Sequence, residues 1–227
     1  VSGSLLVVGA GSQVVALDRD TGAERWRKSW GFAVSLPVLV FPEGFVAAGA
    51  DGRVRHLAAS DGTFLREWRI PGAPIGVVRA KDRLLLLASG GQFVSLDPSR
   101  DGIRWTGPPL GLVRHPPVAG SSRLFVAAGE DLVAVDPETG KEFLRRPLGF
   151  PVSAPPETVG DAVCIAGERG RVAVFEAKTL ERRWQTLLEE EAQGFSQAGD
   201  GVLVVTRGGT LLGFDTRVAQ PEESAGR

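Results

Sequence analysis

Residues 7–26 read VVGAGSQVVALDRDTGAERW, and two readings of this stretch lead to two different folds. As the phosphate-binding turn of a dinucleotide enzyme it needs a third glycine, then a helix whose N-terminus faces the pyrophosphate, then an acid about 20 residues on. Val14 stands where the third glycine belongs. The QVVALDRDTG that surrounds and follows it is β-branched and ends in a turn, so no helix begins there. The other reading is one β-hairpin of a repeating unit, and the rest of the chain decides for it.

ALDRDTGAERW (Ala16–Trp26) recurs as HLAASDGTFLREW, SLDPSRDGIRW, AVDPETGKEFL and VFEAKTLERRW, and closes with GFDTRV. The acidic column falls at Asp18, Asp97, Asp136, Glu176 and Asp215, with Ala58 in the second copy, so the period is 39 or 40 residues. A second column of apolar runs ends in glycine: LLVVGAG, FVAAGADG, LLLLASGG, LFVAAGED, VCIAGERG and VLVVTRGG. A looser third column is marked by Pro37, Pro116 and Pro155. Each unit therefore reads as four short strands: a Pro-marked one, an apolar one ending in Gly, an alternating one ending in Asp, and one carrying Trp. Four strands at a period of about 40 residues is the sequence sign of a propeller blade. The expected fold is all-β, a β-propeller of about six four-stranded blades with the first and last units incomplete.

The chain enters in the apolar strand of its first unit and leaves after the alternating strand of its last. Four full blades and two three-stranded ones give 22 expected strands. Residues 1–218 are expected to form one propeller domain and 219–227 a polar tail. A near-closed ring with an imperfect seam is favoured over a slice of a longer propeller, and an open seam invites association.

The repeat residues carry structural duties. Asp18, Asp97, Asp136 and Asp215 are expected to accept turn N–H groups, while Gly22 and Gly140 take the positive φ that closes the turn. Trp26, Trp68, Trp105 and Trp184, with Leu144 once in their place, fill the wedge between neighbouring blades, each N–H seeking a carbonyl.

ALDRDTGAERW resembles the repeat of the pyrroloquinoline-quinone-like (PQQ-like) β-propeller family, and the likeness runs to about Val218. That family includes quinone-dependent alcohol and glucose dehydrogenases, assembly lipoproteins of the BamB type, and sensor domains. The resemblance implies the fold more than the activity. The dehydrogenases have larger propellers of about eight blades, often a disulfide between adjacent cysteines, and calcium held by Glu, Asn and Asp. This chain has one cysteine, Cys164, in an apolar run, and no Asn. The expected function is a non-enzymatic scaffold or sensor binding a protein or small ligand, with no cofactor and no metal. The alternative is a degenerate or truncated quinoprotein oxidoreductase. The family also points to a periplasmic or extracytoplasmic location.

Composition narrows the partners. The 227 residues are 43% hydrophobic with a formal net charge of −1, which offers no attraction for nucleic acid. No apolar run approaches the roughly 18 residues of a membrane span. Met and Tyr are absent and arginines far outnumber lysines, the mark of a coding bias. Without an initiator Met the chain is expected to be a processed product or a piece of a longer one.

Only His56 and His115 could serve as histidine acid–base groups, and they lie in different columns. No metal-ligand spacing or G-x-S-x-G elbow occurs. His56 replaces a small residue of the alternating strand and reads as structural. Glu189–Glu191 read as a solvated loop. In the family it resembles, the loops entering the innermost strands gather round one mouth of the channel, which implies binding there through the aligned residues Ser35, Arg114, His115, Ser153 and Gln193. These residues vary between copies on a rigid frame.

Overall fold

A computed structural model describes residues 4–41, 43–199 and 201–217; the tail expected at 219–227 lies outside the described residues. Among the described residues twenty-two strands are present, arranged as six antiparallel meanders. The chain divides into two compact units, Val1–Pro109 and Leu110–Arg227.

In the first unit, sheet one comprises β1 (Leu5–Ala10), β2 (Gln13–Asp18) and β3 (Glu24–Ser29). Sheet two comprises β4 (Leu39–Phe41), β5 (Gly44–Ala48), β6 (Arg53–Ala58) and β7 (Phe64–Arg69). Sheet three comprises β8 (Pro74–Ala80), β9 (Arg83–Ala88), β10 (Phe93–Leu96) and β11 (Ile103–Thr106). Of the opening glycines, Gly9 pairs with Val14 inside β1, and Gly11, at φ +59°, stands in the β1–β2 turn that sets Ala10 opposite Gln13. GAGSQ is a hairpin.

In the second unit, sheet four comprises β12 (Val118–Ala119), β13 (Leu124–Ala128), β14 (Asp131–Val135) and β15 (Glu142–Pro147). Sheet five comprises β16 (Glu157–Val159), β17 (Ala162–Gly167), β18 (Arg171–Glu176) and β19 (Arg182–Leu187). Sheet six has three strands, β20 (Ala192–Ala198), β21 (Gly201–Thr206) and β22 (Leu211–Asp215).

Within each unit the core lies between neighbouring sheets. Trp26 of β3 packs with Phe45, Ala47 and Leu57 of sheet two, and Trp68 of β7 with Leu84, Leu86 and Leu96 of sheet three. In the second unit Trp184 of β19 meets Val202, Val204 and Phe214 of sheet six. Strands β5, β9, β13 and β17 are buried along their whole length on both faces. That is why their sequences read as unbroken apolar runs without alternation. Cys164 sits in this layer, on β17, where burial pushes its thiol up to about 12.

The Pro-marked strand is interrupted. Val34, Val113 and Val152 each make one isolated bridge to the neighbouring strand, and pairing resumes only at β4, β12 and β16. Pro37, Pro116 and Pro155 lie in these gaps, where a missing N–H removes a ladder bond. In sheets three and six no proline interrupts the corresponding stretch, and β8 and β20 run for seven residues each.

A β-bulge recurs at one place in five sheets, between Ala16 and Leu17, His56 and Leu57, Ser95 and Leu96, Ala134 and Val135, and Val174 and Phe175. It lies just before the Asp turn and turns the next strand back along the sheet.

Candidate functional site

Ser35, Arg114 and Ser153 follow the isolated bridges, and two of them are held by their backbone. Ser35 and Ser153 donate their N–H groups to the carbonyls of Ala48 and Ala166, at 2.9 and 3.0 Å. Arg114 follows Val113, and Gln193 follows Ala192 on β20. Ser35, Arg114 and Gln193 are exposed, while His115 and Ser153 are half-buried. Within the second unit two of the expected residues, His115 and Ser153, reach the next sheet. His115 Nε2 lies 3.3 Å from the carbonyl oxygen of Val152, the residue before Ser153. Ser153 Oγ lies 3.5 Å from that of Ala192, the residue before Gln193. Ser35 belongs to the first unit and is described there alone.

The aspartates of the repeat are occupied by their turns. Asp18 Oδ1 accepts the N–H groups of Asp20 and Thr21 and the Thr21 hydroxyl, and Oδ2 accepts Arg25 at 2.7 Å. The Arg25 hydrogen bond, with those from Thr21, holds its carboxyl well below the usual range. Asp97 takes the N–H and hydroxyl of Ser99, Asp136 the N–H of Glu138 and the hydroxyl of Thr139, and Asp215 takes Arg217. Gly22 and Gly140 stand at φ +72° and +68°. Trp26 Nε1 donates to the Ala59 carbonyl at 3.0 Å, and Trp184 Nε1 to that of Thr216 at 3.2 Å. The Nε1 atoms of Trp68 and Trp105 are buried without a partner among the described residues.

Glu190 also has structural work. Its carboxylate accepts the Thr206 hydroxyl at 2.5 Å and the Gly208 N–H at 3.0 Å, closing the β21–β22 turn. The acidic run expected as solvated loop is anchored there.

Sheet two departs from the repeat in three neighbouring places. Ala58 replaces the turn aspartate. In sheets one, three, four and five the Trp-column residue stands opposite a small or β-branched one: Trp26 opposite Ala16, Trp105 opposite Ser95, Leu144 opposite Ala134, Trp184 opposite Val174. In sheet two this pair is Arg66 opposite His56, and Trp68 stands two residues further along, opposite Val54. The sequence signal was available, since Trp68 lies 42 residues from Trp26 where the period is 39 or 40.

One of these departures, His56, lines a pocket of about 350 Å³ with Phe41, Glu43, Arg79, Lys81, Asp82, Asp97, Pro98 and Ser99. His56 is 1% exposed. Its Nδ1 lies 3.2 Å from the Pro98 carbonyl oxygen, which also accepts Arg66 at 3.2 Å. Burial lowers the imidazole pKa below its ordinary value, so the ring is neutral at pH 7. Arg66 is tied in turn to Asp101 at 3.2 Å and Glu43 at 3.7 Å. Among the described residues, no three His, Cys, Asp or Glu side chains are gathered as a metal ion would need.

A family model described as outer membrane protein assembly factor BamB matches residues 1–106 and again 108–224. The chain belongs to this PQQ-like propeller family. No curated protein matches it in sequence. Among solved structures, that of BamB from Moraxella catarrhalis superposes with a TM-score of 0.81 at 20% identity, covering 97% of this chain and 72% of that one. The computationally designed Ika8 protein gives 0.75 at 15% identity, covering 97% and 71%. Sqt1 from Saccharomyces cerevisiae gives 0.77 at 11%, covering 97% and 69%. The fold is a β-propeller whose first and last blades have three strands, and no helix among the described residues is long and apolar enough to cross a membrane.

Proposed function

We propose that this domain is a non-enzymatic scaffold that binds a protein partner through the column Ser35, Arg114, His115, Ser153 and Gln193. The observation that carries the reading is that His115 and Ser153 of the second unit reach the carbonyls beside the next expected residue, Val152 and Ala192, while Arg114 and Gln193 stand exposed next to them. A rigid frame carrying changeable exposed groups gives specificity at low ordering cost. Membership in a family described as an outer membrane protein assembly factor supports a protein partner and an extracytoplasmic setting. The commitment of the repeat aspartates to their turns favours binding over quinone chemistry, because calcium needs several converging oxygen ligands that are free to turn toward it.

The test places a photo-crosslinking residue at Arg114 or Gln193 and, as control, at Asp20 in a β2–β3 turn. A partner captured at the first two positions, with capture at Gln193 lost on Arg114→Ala with His115→Ala, is the expected result. Equal capture at Asp20, or affinity untouched by the double substitution, refutes the reading. Adding pyrroloquinoline quinone with calcium is expected to leave the melting temperature unchanged, since a ligand that prefers the native state must raise it.

A further inference from the structure

The sheets differ in how their first edge is protected. β4, β12 and β16 run for three, two and three residues after Pro37, Pro116 and Pro155. β8 and β20 each carry a register shift. Short length, proline and bulges are the usual means of blunting a sheet edge. β1 has none of them. Its six residues, LLVVGA, pair with β2 in unbroken register and hold neither charge nor proline. By register β1 matches the second strands of other sheets. Leu5 stands opposite Asp18 as Gly44 stands opposite Ala58 and Ala162 opposite Glu176. Those counterparts, β5 and β17, are buried throughout, whereas Leu6 and Val8 are 38% and 37% exposed.

The Ser4 carbonyl accepts the Arg19 N–H at 2.7 Å, which fixes the phase of the ladder. Even-numbered residues of β1 bond to β2, and the N–H and C=O groups of Leu5 and Val7 point away from it. Among the described residues no strand lies on that side. The other sheets show what chemistry fits there. The residue facing the counterpart of Val7 is Leu39 in sheet two, Val78 in sheet three, Val118 in sheet four and Glu157 in sheet five. Leu39 and Val118 pack into the cores of their sheets. Facing residues share a side of the sheet. An apolar residue opposite Val7 would therefore join the cluster of Trp26, Phe45 and Leu57 that Leu5 and Val7 already border. The next residue, opposite the counterpart of Leu6, is Val40, Arg79, Ala119 or Thr158, so that position is unrestricted.

We propose that this edge takes one extended segment of a partner protein as an added antiparallel strand, with Leu or Val facing Val7 and backbone bonds to Leu5 and Val7. The proposal rests on the reading of this domain as a binder of protein. In strand addition the main-chain bonds supply affinity and the alternate side chains supply specificity.

The experiment titrates the whole chain with a capped Ile-Gly-Val-Val-Arg-Ala peptide, the sequence of residues 75–80, whose second valine corresponds to Val78. Amide hydrogen exchange is followed by NMR. The peptide is expected to slow exchange at Leu5 and Val7 and to leave Leu6 and Val8, already bonded to β2, unchanged. N-methylation of the second valine, or Val7→Pro, removes one backbone donor from the new ladder and should weaken binding about tenfold. Proline is accepted where an edge N–H faces outward, so Val7→Pro keeps the β1–β2 bonds. If that variant fails to fold, the N-methylated peptide on the wild-type chain decides alone. No protection of Leu5 and Val7, or binding that survives both changes, overturns the proposal. Protection of the two amides in the chain alone also overturns it, assigning a second copy if it rises with concentration and a segment of the chain itself if it does not. Arg114→Ala with His115→Ala should leave the peptide's affinity unchanged, so a failure at β1 and a failure of the column are read separately.

Discussion

Gly62 and Gly22 occupy the same position of the same turn. Each donates its N–H to the carbonyl four residues back, Ala58 and Asp18, and each has positive φ, +70° and +72°. Their surroundings differ. A Cβ at Gly22 would meet nothing within 4 Å, whereas one at Gly62 would come within 2.6 Å of Cε3 and 2.7 Å of Cζ3 of Trp26. The left-handed backbone alone costs an alanine about 1–2 kcal/mol. Overpacking against a ring held in a wedge adds about 1–3 kcal/mol. Gly22→Ala should therefore destabilise by about 1–2 kcal/mol and Gly62→Ala by about 2–5 kcal/mol, the sum of these contributions. Urea denaturation followed by tryptophan fluorescence measures both. The difference between the variants isolates the contact with Trp26. A Gly62→Ala variant no less stable than Gly22→Ala would show that the ring moves freely, and that Trp26 does not hold sheets one and two together.

Two further expectations follow from buried groups. His56 has a folded pKa below its ordinary 6.5, so the unfolded chain binds the proton more readily. Stability should fall as pH drops below about 6.5, and chemical denaturation of His56→Phe at pH 7 and pH 5 should show a smaller loss than wild type. The Cys164 thiol, pushed up to about 12 by burial, should resist a thiol reagent in the native state. Its labelling rate should rise with urea in step with unfolding, and rapid labelling without denaturant would contradict its place in β17.

Much of the fold was legible because a repeat reports itself several times over. The 22 strands, the hairpin at Gly11 and the turn role of the aspartates all follow from columns in which chemistry and position agree. The break in the inner strand was legible in principle, since Pro37, Pro116 and Pro155 announce a missing donor, yet periodicity alone reads the stretch as one strand. The role of Glu190 was not legible. Its partners Thr206 and Gly208 lie 16 and 18 residues away across a hairpin, and nothing in an acidic run tells a solvated carboxylate from one closing a turn. The placement of Trp68 misled for a related reason. A tryptophan two residues out of phase was read as the column, although the strand pairing gives that position to Arg66.

The departures in sheet two explain one another. A tryptophan at position 66 would be matched by a small residue at position 56, the arrangement of Trp26 with Ala16. With Arg66 there, the facing position carries His56, and both donate to the Pro98 carbonyl, replacing apolar packing with hydrogen bonds. The burial that the missing ring would have provided is recovered from Trp68, which reaches Leu84 and Leu86 of the next sheet from two residues further on. A repeat that needed only to stack would keep its column, as sheets one, three, four and five do with Trp or Leu. Restoring it by Arg66→Trp with His56→Ala is sterically consistent with the pattern and would remove both groups that donate to the Pro98 carbonyl. The substitution pair therefore separates what the architecture requires from what this one sheet has added to it.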